Sequence, residues 1–158
     1  MKAIYAGSFD PFTNGHLSIV REASELFDTL YICIGKNSSK QRFIDENKMQ
    51  YAIKKVLLKE GIINCEVVVF SGMIADFAKE LGVDYLVRGL RNSTDYAYEE
   101  NIAKINSIVN SKLKTIYFRA SSTDGEVISS SMIREFLKYK KDVSLYVPED
   151  IVELLKEK

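Results

Sequence analysis

Apolar positions along the chain fall into two rhythms that alternate from one end to the other. Short runs rich in Val, Ile and Tyr, at Lys2–Ala6, Thr29–Gly35, Cys65–Phe70, Val83–Val87 and Lys114–Arg119, read as five β-strands. In the segments between them, apolar residues recur every three or four positions. Leu17, Val20, Ala23 and Phe27 form one such face, with Arg21, Glu22 and Glu25 on the opposite side. Similar patterns occupy Glu46–Glu60, Ile74–Leu81, Thr94–Val109, Ser130–Tyr139 and Pro148–Lys156. A strand that returns parallel to its predecessor needs a crossover of about a dozen residues, and the helical segments supply it. The pattern predicts an α/β fold: one doubly wound, Rossmann-like domain over residues 1–158, with a five-stranded parallel sheet and helices on both faces. Such sheets bind ligands beyond the carboxyl ends of their strands, where the strand order reverses.

Composition narrows the partners. The chain of 158 residues carries 22 basic and 22 acidic side chains and is 46% hydrophobic. It therefore lacks both the signature of a disordered tail and the basic excess that drives binding to nucleic acid. A charged ligand has to be met by a local cluster. The longest wholly apolar run is short, as in Val67-Val68-Val69-Phe70, and the start MKAIYAGS has no extended apolar stretch. The expectation is a cytoplasmic protein with no signal peptide and no membrane partner. Cys33 and Cys65 lie in strand-like segments and match no zinc-ligand spacing, so they read as buried, inert thiols.

Candidate chemistry gathers at the predicted carboxyl edge. The stretch YAGSFDPFTNGH, residues 5–16, holds the chain's one histidine, His16, in the first turn of the first helix, after Gly7 and Gly15. A strand, a glycine turn and a helix N-terminus make a cradle for an anion, because free amides and the helix dipole face the ligand. No G-x-G-x-x-G follows the first strand and no P-loop occurs, and Ser8 stands outside a G-x-S-x-G elbow. In VRGLRNSTDYAYEE, residues 87–100, Arg88 and Arg91 flank Gly89 at the end of the fourth strand, and their guanidinium forks suit phosphate oxygens. Asp95 and Glu99 follow at helical spacing, and pairing of the arginines with these acids is the plainer alternative. Ser129, Ser130 and Ser131 stand at a helix start, where they serve as an N-cap or hold a polyphosphate. The loop GKNSSKQRF adds Lys36, Lys40 and Arg42 after the second strand.

These motifs resemble a known family. G-S-F-D-P-F-T-N-G-H is similar to the T-x-G-H signature of the nucleotidylyltransferases, and RGLRNSTDYAYE followed by ISSSMIRE resembles the bacterial phosphopantetheine adenylyltransferases over essentially the whole chain. The resemblance implies transfer of AMP from ATP to 4′-phosphopantetheine, giving dephospho-coenzyme A and pyrophosphate. Mg²⁺ would accompany ATP, with no protein ligands assigned to it. By the same resemblance, His16 and the main chain of Ser8 and Phe9 hold ATP phosphates, with His16 stabilising the transition state. Gly89, Leu90, Arg91 and Glu99 contact ATP, as do Gly125, Glu126, Val127, Ile128, Ser129, Ser130 and Ser131. The Ser8 hydroxyl, Lys40, Ile74 and Arg88 position the acceptor. A homohexamer and feedback by coenzyme A are further implications.

The sequence departs from the family pattern after Lys40, where Gln41 and Arg42 follow and one residue is missing before Phe43, and at Gly125, where many relatives carry an aromatic residue. Two other readings stay open: a relative with another phosphorylated acceptor, such as nicotinamide mononucleotide or a polyol phosphate, and a noncatalytic nucleotide-binding regulator. The expected nucleophile is a phosphate monoester whose second pKa lies near about 6. It is already an anion, so no general base is needed and one histidine suffices.

Overall fold

The computed structural model describes residues 1–121 and 128–158. Its elements alternate as β1 (Lys2–Gly7), α1 (Asn14–Leu26), β2 (Thr29–Gly35), α2 (Glu46–Glu60), β3 (Cys65–Phe70), α3 (Ile74–Leu81), β4 (Tyr85–Leu90), α4 (Ser93–Val109) and β5 (Lys114–Arg119), followed by α5 (Ser130–Lys138) and α6 (Glu149–Lys156). All strand pairings are parallel, and the spatial order is β3-β2-β1-β4-β5. The chain moves outward through β2 and β3, then returns so that β4 lies on the other side of β1. Strand order thus reverses between β1 and β4, and a crevice is expected at their carboxyl ends.

Alternation along the strands builds a layer on each side. Ala3 and Tyr5 of β1 point into a core completed by Ile19 and Val20 of α1, Met49 and Ile53 of α2, Ile133 of α5 and Ile151 of α6. Ile4 and Ala6 face the opposite side, with Ala75 and Ala78 of α3 and Leu86 of β4. One face is therefore covered by four helices and the other by α3 and α4, as a parallel sheet requires.

The predicted strand at Val83–Val87 lies two to three residues further on, at Tyr85–Leu90. Gly82 is the reason. It ends α3 in the left-handed region at φ 64°, and the next amide, that of Val83, bonds back to Ala78 O at 2.9 Å. Val83 is buried as the hydrophobic partner of that helix end, not as a strand residue. The shift carries Arg88, Gly89 and Leu90 into paired strand, opposite Tyr117, Phe118 and Arg119 of β5. Cys33 is buried and Cys65 half-buried, both are free, and burial pushes the Cys33 thiol up to about 12. No helix among the described residues is long and apolar enough to cross a membrane.

Candidate active site

The crevice at the switch point is a cleft of about 300 Å³ between the ends of β1 and β4. Its floor is made by the β1–α1 connection. Phe9 sits in the left-handed region at φ 46°, a conformation that costs a non-glycine residue about 1–3 kcal/mol. The reversal sends the Phe9 ring into the core, edge-on to Tyr5 at 5.2 Å and to His16 at 4.9 Å, and leaves Ser8 exposed at the rim.

Thr13 and His16 form a reciprocal cap at the start of α1. The Thr13 hydroxyl accepts the His16 amide at 3.3 Å, while the Thr13 amide donates to His16 Nδ1 at 2.9 Å. Because Nδ1 is the acceptor, the ring proton resides on Nε2, and the imidazole is a neutral donor held in one tautomer. Burial among Phe9, Phe12 and Tyr5, reinforced by the positive charges of Arg91 and Arg88, lowers the His16 pKa to about 3. The sign follows from linkage: below about pH 6.5 the unfolded chain binds a proton that the folded chain refuses, so stability falls as pH drops from about 6.5 toward 3. A His16→Gln variant, which keeps a hydrogen-bonding side chain in the cap, should show a shallower fall in urea midpoint between pH 6.5 and 4 than the wild type. Equal slopes in the two proteins would refute this.

The cradle at this helix start is narrower than the sequence suggests. Tyr146 O accepts the Asn14 amide at 2.9 Å and Thr13 O accepts that of Leu17 at 3.0 Å. Of the first-turn amides, that of Gly15 alone lacks an acceptor among the described residues.

The opposite wall carries the arginines. Arg88 is gripped on both sides: Nε and Nη2 donate to Glu99 at 2.7 and 2.6 Å, and Nη1 donates to Ala6 O at 2.6 Å. Burial disfavours its charge, but the Glu99 carboxylate outweighs that and raises the Arg88 pKa. Arg91 donates through its amide, Nε and Nη2 to Asp95 at 2.9, 3.0 and 3.1 Å. Both acids at helical spacing thus pair with the arginines, so each guanidinium is compensated before any ligand arrives. They differ in access, since the Arg91 side chain is 39% exposed and that of Arg88 24%. Gly89 brings β4 against α1 so closely that a Cβ there would lie 2.3 Å from Ile19 Cδ1.

Ser8, Phe9, His16, Arg88, Gly89 and Arg91 line this one cleft, as do Glu99, Ile128, Ser129 and Ser130. Ser130 Oγ donates to Pro11 O at 2.8 Å, which fixes the start of α5 beside the β1–α1 connection. Four expected residues are placed otherwise. Lys40 lines an adjoining cavity of about 630 Å³ that meets the cleft at Ser8. Ile74 packs against the α3 side of the core, the Leu90 carbonyl accepts the Ala120 amide at 2.9 Å, and Ser131 is exposed, 3.0 Å from the Ser129 hydroxyl. Gly125, Glu126 and Val127 fall outside the described residues. Tyr5, Thr13, Asp95 and Tyr98 also line the cleft. Thr13 had a visible signal, the cap position before a helix, whereas Tyr5 and Tyr98 looked like ordinary strand and helix residues.

Among the described residues, no three His, Cys, Asp or Glu side chains gather as a metal site. The carboxylates at the cleft, Asp95 and Glu99, are engaged by arginines. Among the described residues the cleft offers no uncommitted carboxylate, so a divalent ion would arrive with the phosphates of a bound nucleotide.

The cleft lies where an open parallel sheet of this strand order takes its ligand, and an imidazole stands at its rim at the start of the first helix. Residues 4–136 match the cytidylyltransferase-like family, and the chain belongs to it. Within that class it also belongs to the phosphopantetheine adenylyltransferases. It is 46% identical over 147 residues to the phosphopantetheine adenylyltransferase of Cytophaga hutchinsonii, covering 92% of this chain and 95% of that one. It is 40% identical over 158 residues to that of Staphylococcus carnosus, with 99% and 96% covered. A crystal structure of a Vibrio parahaemolyticus protein described as a nicotinate-nucleotide adenylyltransferase superposes with a TM-score of 0.70 at 17% identity, over 98% of this chain and 97% of that one, and shares the fold.

Proposed function

We propose that the protein transfers the adenylyl group of ATP to 4′-phosphopantetheine, forming dephospho-coenzyme A and pyrophosphate. The observation that supports this best is the meeting of a neutral, Thr13-oriented imidazole with Arg88, Arg91 and the α5 start in one cleft, in a chain related over nearly its full length to enzymes of that name. The acceptor phosphate attacks the α-phosphorus in line, and the P–O bond to pyrophosphate breaks. No proton has to be removed from the nucleophile, so the residues bring two anions together and stabilise charge in the transition state. The His16 Nε2–H donates to an α-phosphate oxygen. Arg91, the more exposed guanidinium, exchanges Asp95 for the triphosphate, while Arg88, fixed by Glu99 and Ala6 O, faces the acceptor together with Ser8. Lys40 reaches the acceptor phosphate from the adjoining cavity. Kinship also supports a cytoplasmic homohexamer restrained by coenzyme A.

The test is an acceptor screen with ATP and Mg²⁺, read by pyrophosphate release. Turnover with 4′-phosphopantetheine is expected; turnover confined to nicotinate or nicotinamide mononucleotide, or ATP binding without turnover, would replace the proposal. Lys40→Ala should raise the KM for the acceptor about tenfold, the loss of one charge-assisted contact, and leave the KM for ATP nearly unchanged. Unaltered kinetics at low acceptor concentration would remove Lys40 from the site.

A further inference from the structure

Asp10 takes no part in the chemistry above, yet its carboxylate is buried and fully committed. Oδ2 accepts the Phe43 amide and Oδ1 the Ile44 amide, each at 2.8 Å, and the Asp10 carbonyl accepts Arg134 Nη1 at 2.7 Å. The two carboxylate bonds run from the β1–α1 connection, which carries Ser8 and leads to His16, to the far end of the connection between β2 and α2, which carries Lys40, while the carbonyl bond reaches α5. Arg42 closes that second connection on itself. Its Nε donates to Ile44 O at 2.9 Å and its Nη1 to Gly35 O at 3.4 Å, so one guanidinium spans both ends. Arg42 Nη2 lies 3.8 Å from Asp10 Oδ1 and makes no hydrogen bond among the described residues.

Residues 36–41 between these ends are all exposed. Lys36 is held by its amide, which donates to Phe70 O at 2.7 Å, and by an ion pair with Glu46 at 2.9 Å; beyond a turn around Asn37, residues 38–41 are placed by the anchors at the two ends. Buried Ile44 already fastens the far end of the connection to the core. A buried carboxylate is a poor way to gain stability, since desolvation offsets much of its attraction, and an apolar replacement is often as stable. What it does supply is direction: two amides accepted by one carboxylate fix the register of one connection against the other.

We propose that Asp10 is a positioning residue that ties the β2–α2 connection to the β1–α1 connection and so holds Lys40 opposite Ser8 at the acceptor end of the site. This rests on the reading of Lys40 as an acceptor-phosphate group. Asp10→Asn keeps the shape and removes the charge. It should raise the KM for 4′-phosphopantetheine roughly tenfold, with kcat at saturating acceptor and the KM for ATP within about twofold. Arg42→Lys, which keeps the charge but cannot span Gly35 O and Ile44 O, should give the same selective rise. A second readout needs no substrate: trypsin cleavage after Lys40 in the folded protein should accelerate in both variants. If the acceptor proves to be a different compound, that cleavage still judges the tie. Cleavage at the wild-type rate, or parallel losses in kcat and both KM values that track a fall in Tm, would overturn the proposal. Should Asp10→Asn fail to fold, Arg42→Lys carries both measurements.

Discussion

His16→Ala is expected to lower kcat by about 100-fold or more while ATP binds nearly as before, because one preorganised donor aimed at developing charge is worth about 3–4 kcal/mol in the barrier and little in the ground state. Alanine also leaves the Thr13 amide without its Nδ1 acceptor, a separate loss of about 1 kcal/mol of helix-cap stability. His16→Gln distinguishes the two, since glutamine at this position can accept the Thr13 amide but presents no imidazole Nε2–H. It should retain the wild-type Tm and still lose turnover. In the folded protein without substrate the His16 imidazole is neutral above about pH 3, so an acid limb of kcat/KM near about 6 belongs to the acceptor phosphate and stays in place in His16→Gln. A limb that vanishes with the histidine would assign the proton to His16 and contradict the neutral-donor role.

Arg88→Met is expected to damage both stability and chemistry, and the two can be separated. It strands the buried Glu99 carboxylate, now paired at 2.6–2.7 Å on two oxygens, and breaking such a pair costs about 3–5 kcal/mol. For a chain of this size that corresponds to a fall in Tm of roughly 10 °C, measurable by calorimetry. The double variant Arg88→Met/Glu99→Leu removes the stranded charge and should recover most of the lost Tm. Activity should remain lost, because no guanidinium faces the acceptor. A double variant that regains turnover would reduce Arg88 to a structural partner of Glu99.

Local pattern carried most of the fold. The boundaries of α2 and α3 follow directly from their apolar spacing, with Asp45 capping one and Gly61 and Gly82 ending them. The misplaced start of β4 has a local cause, because Val83 satisfies a strand propensity while its amide closes the preceding helix. The lining of the cleft was legible where its residues fall in short segments. Ser8, Phe9 and His16 lie within nine positions of each other, and Arg88, Gly89 and Arg91 within four. What spacing could not tell was the tautomer of His16, which depends on one backbone bond; pairing of the arginines with Asp95 and Glu99 stood open as the plainer alternative, and the fold shows both pairs. Asp10 was invisible for another reason: its partners lie 33, 34 and 124 residues away, and nothing near it in the chain hints at them. Ile74, implied by the resemblance alone as an acceptor contact, is partly buried at the start of α3 and packs against the second core cluster.

The most direct measurement is the stereochemical course at the α-phosphorus, followed with a chiral α-thio analogue of ATP and 4′-phosphopantetheine. A single in-line displacement, with His16 as donor and never as nucleophile, predicts thio-dephospho-coenzyme A of inverted configuration. Retention would reveal two displacements through an adenylylated enzyme and would contradict the account of this cleft.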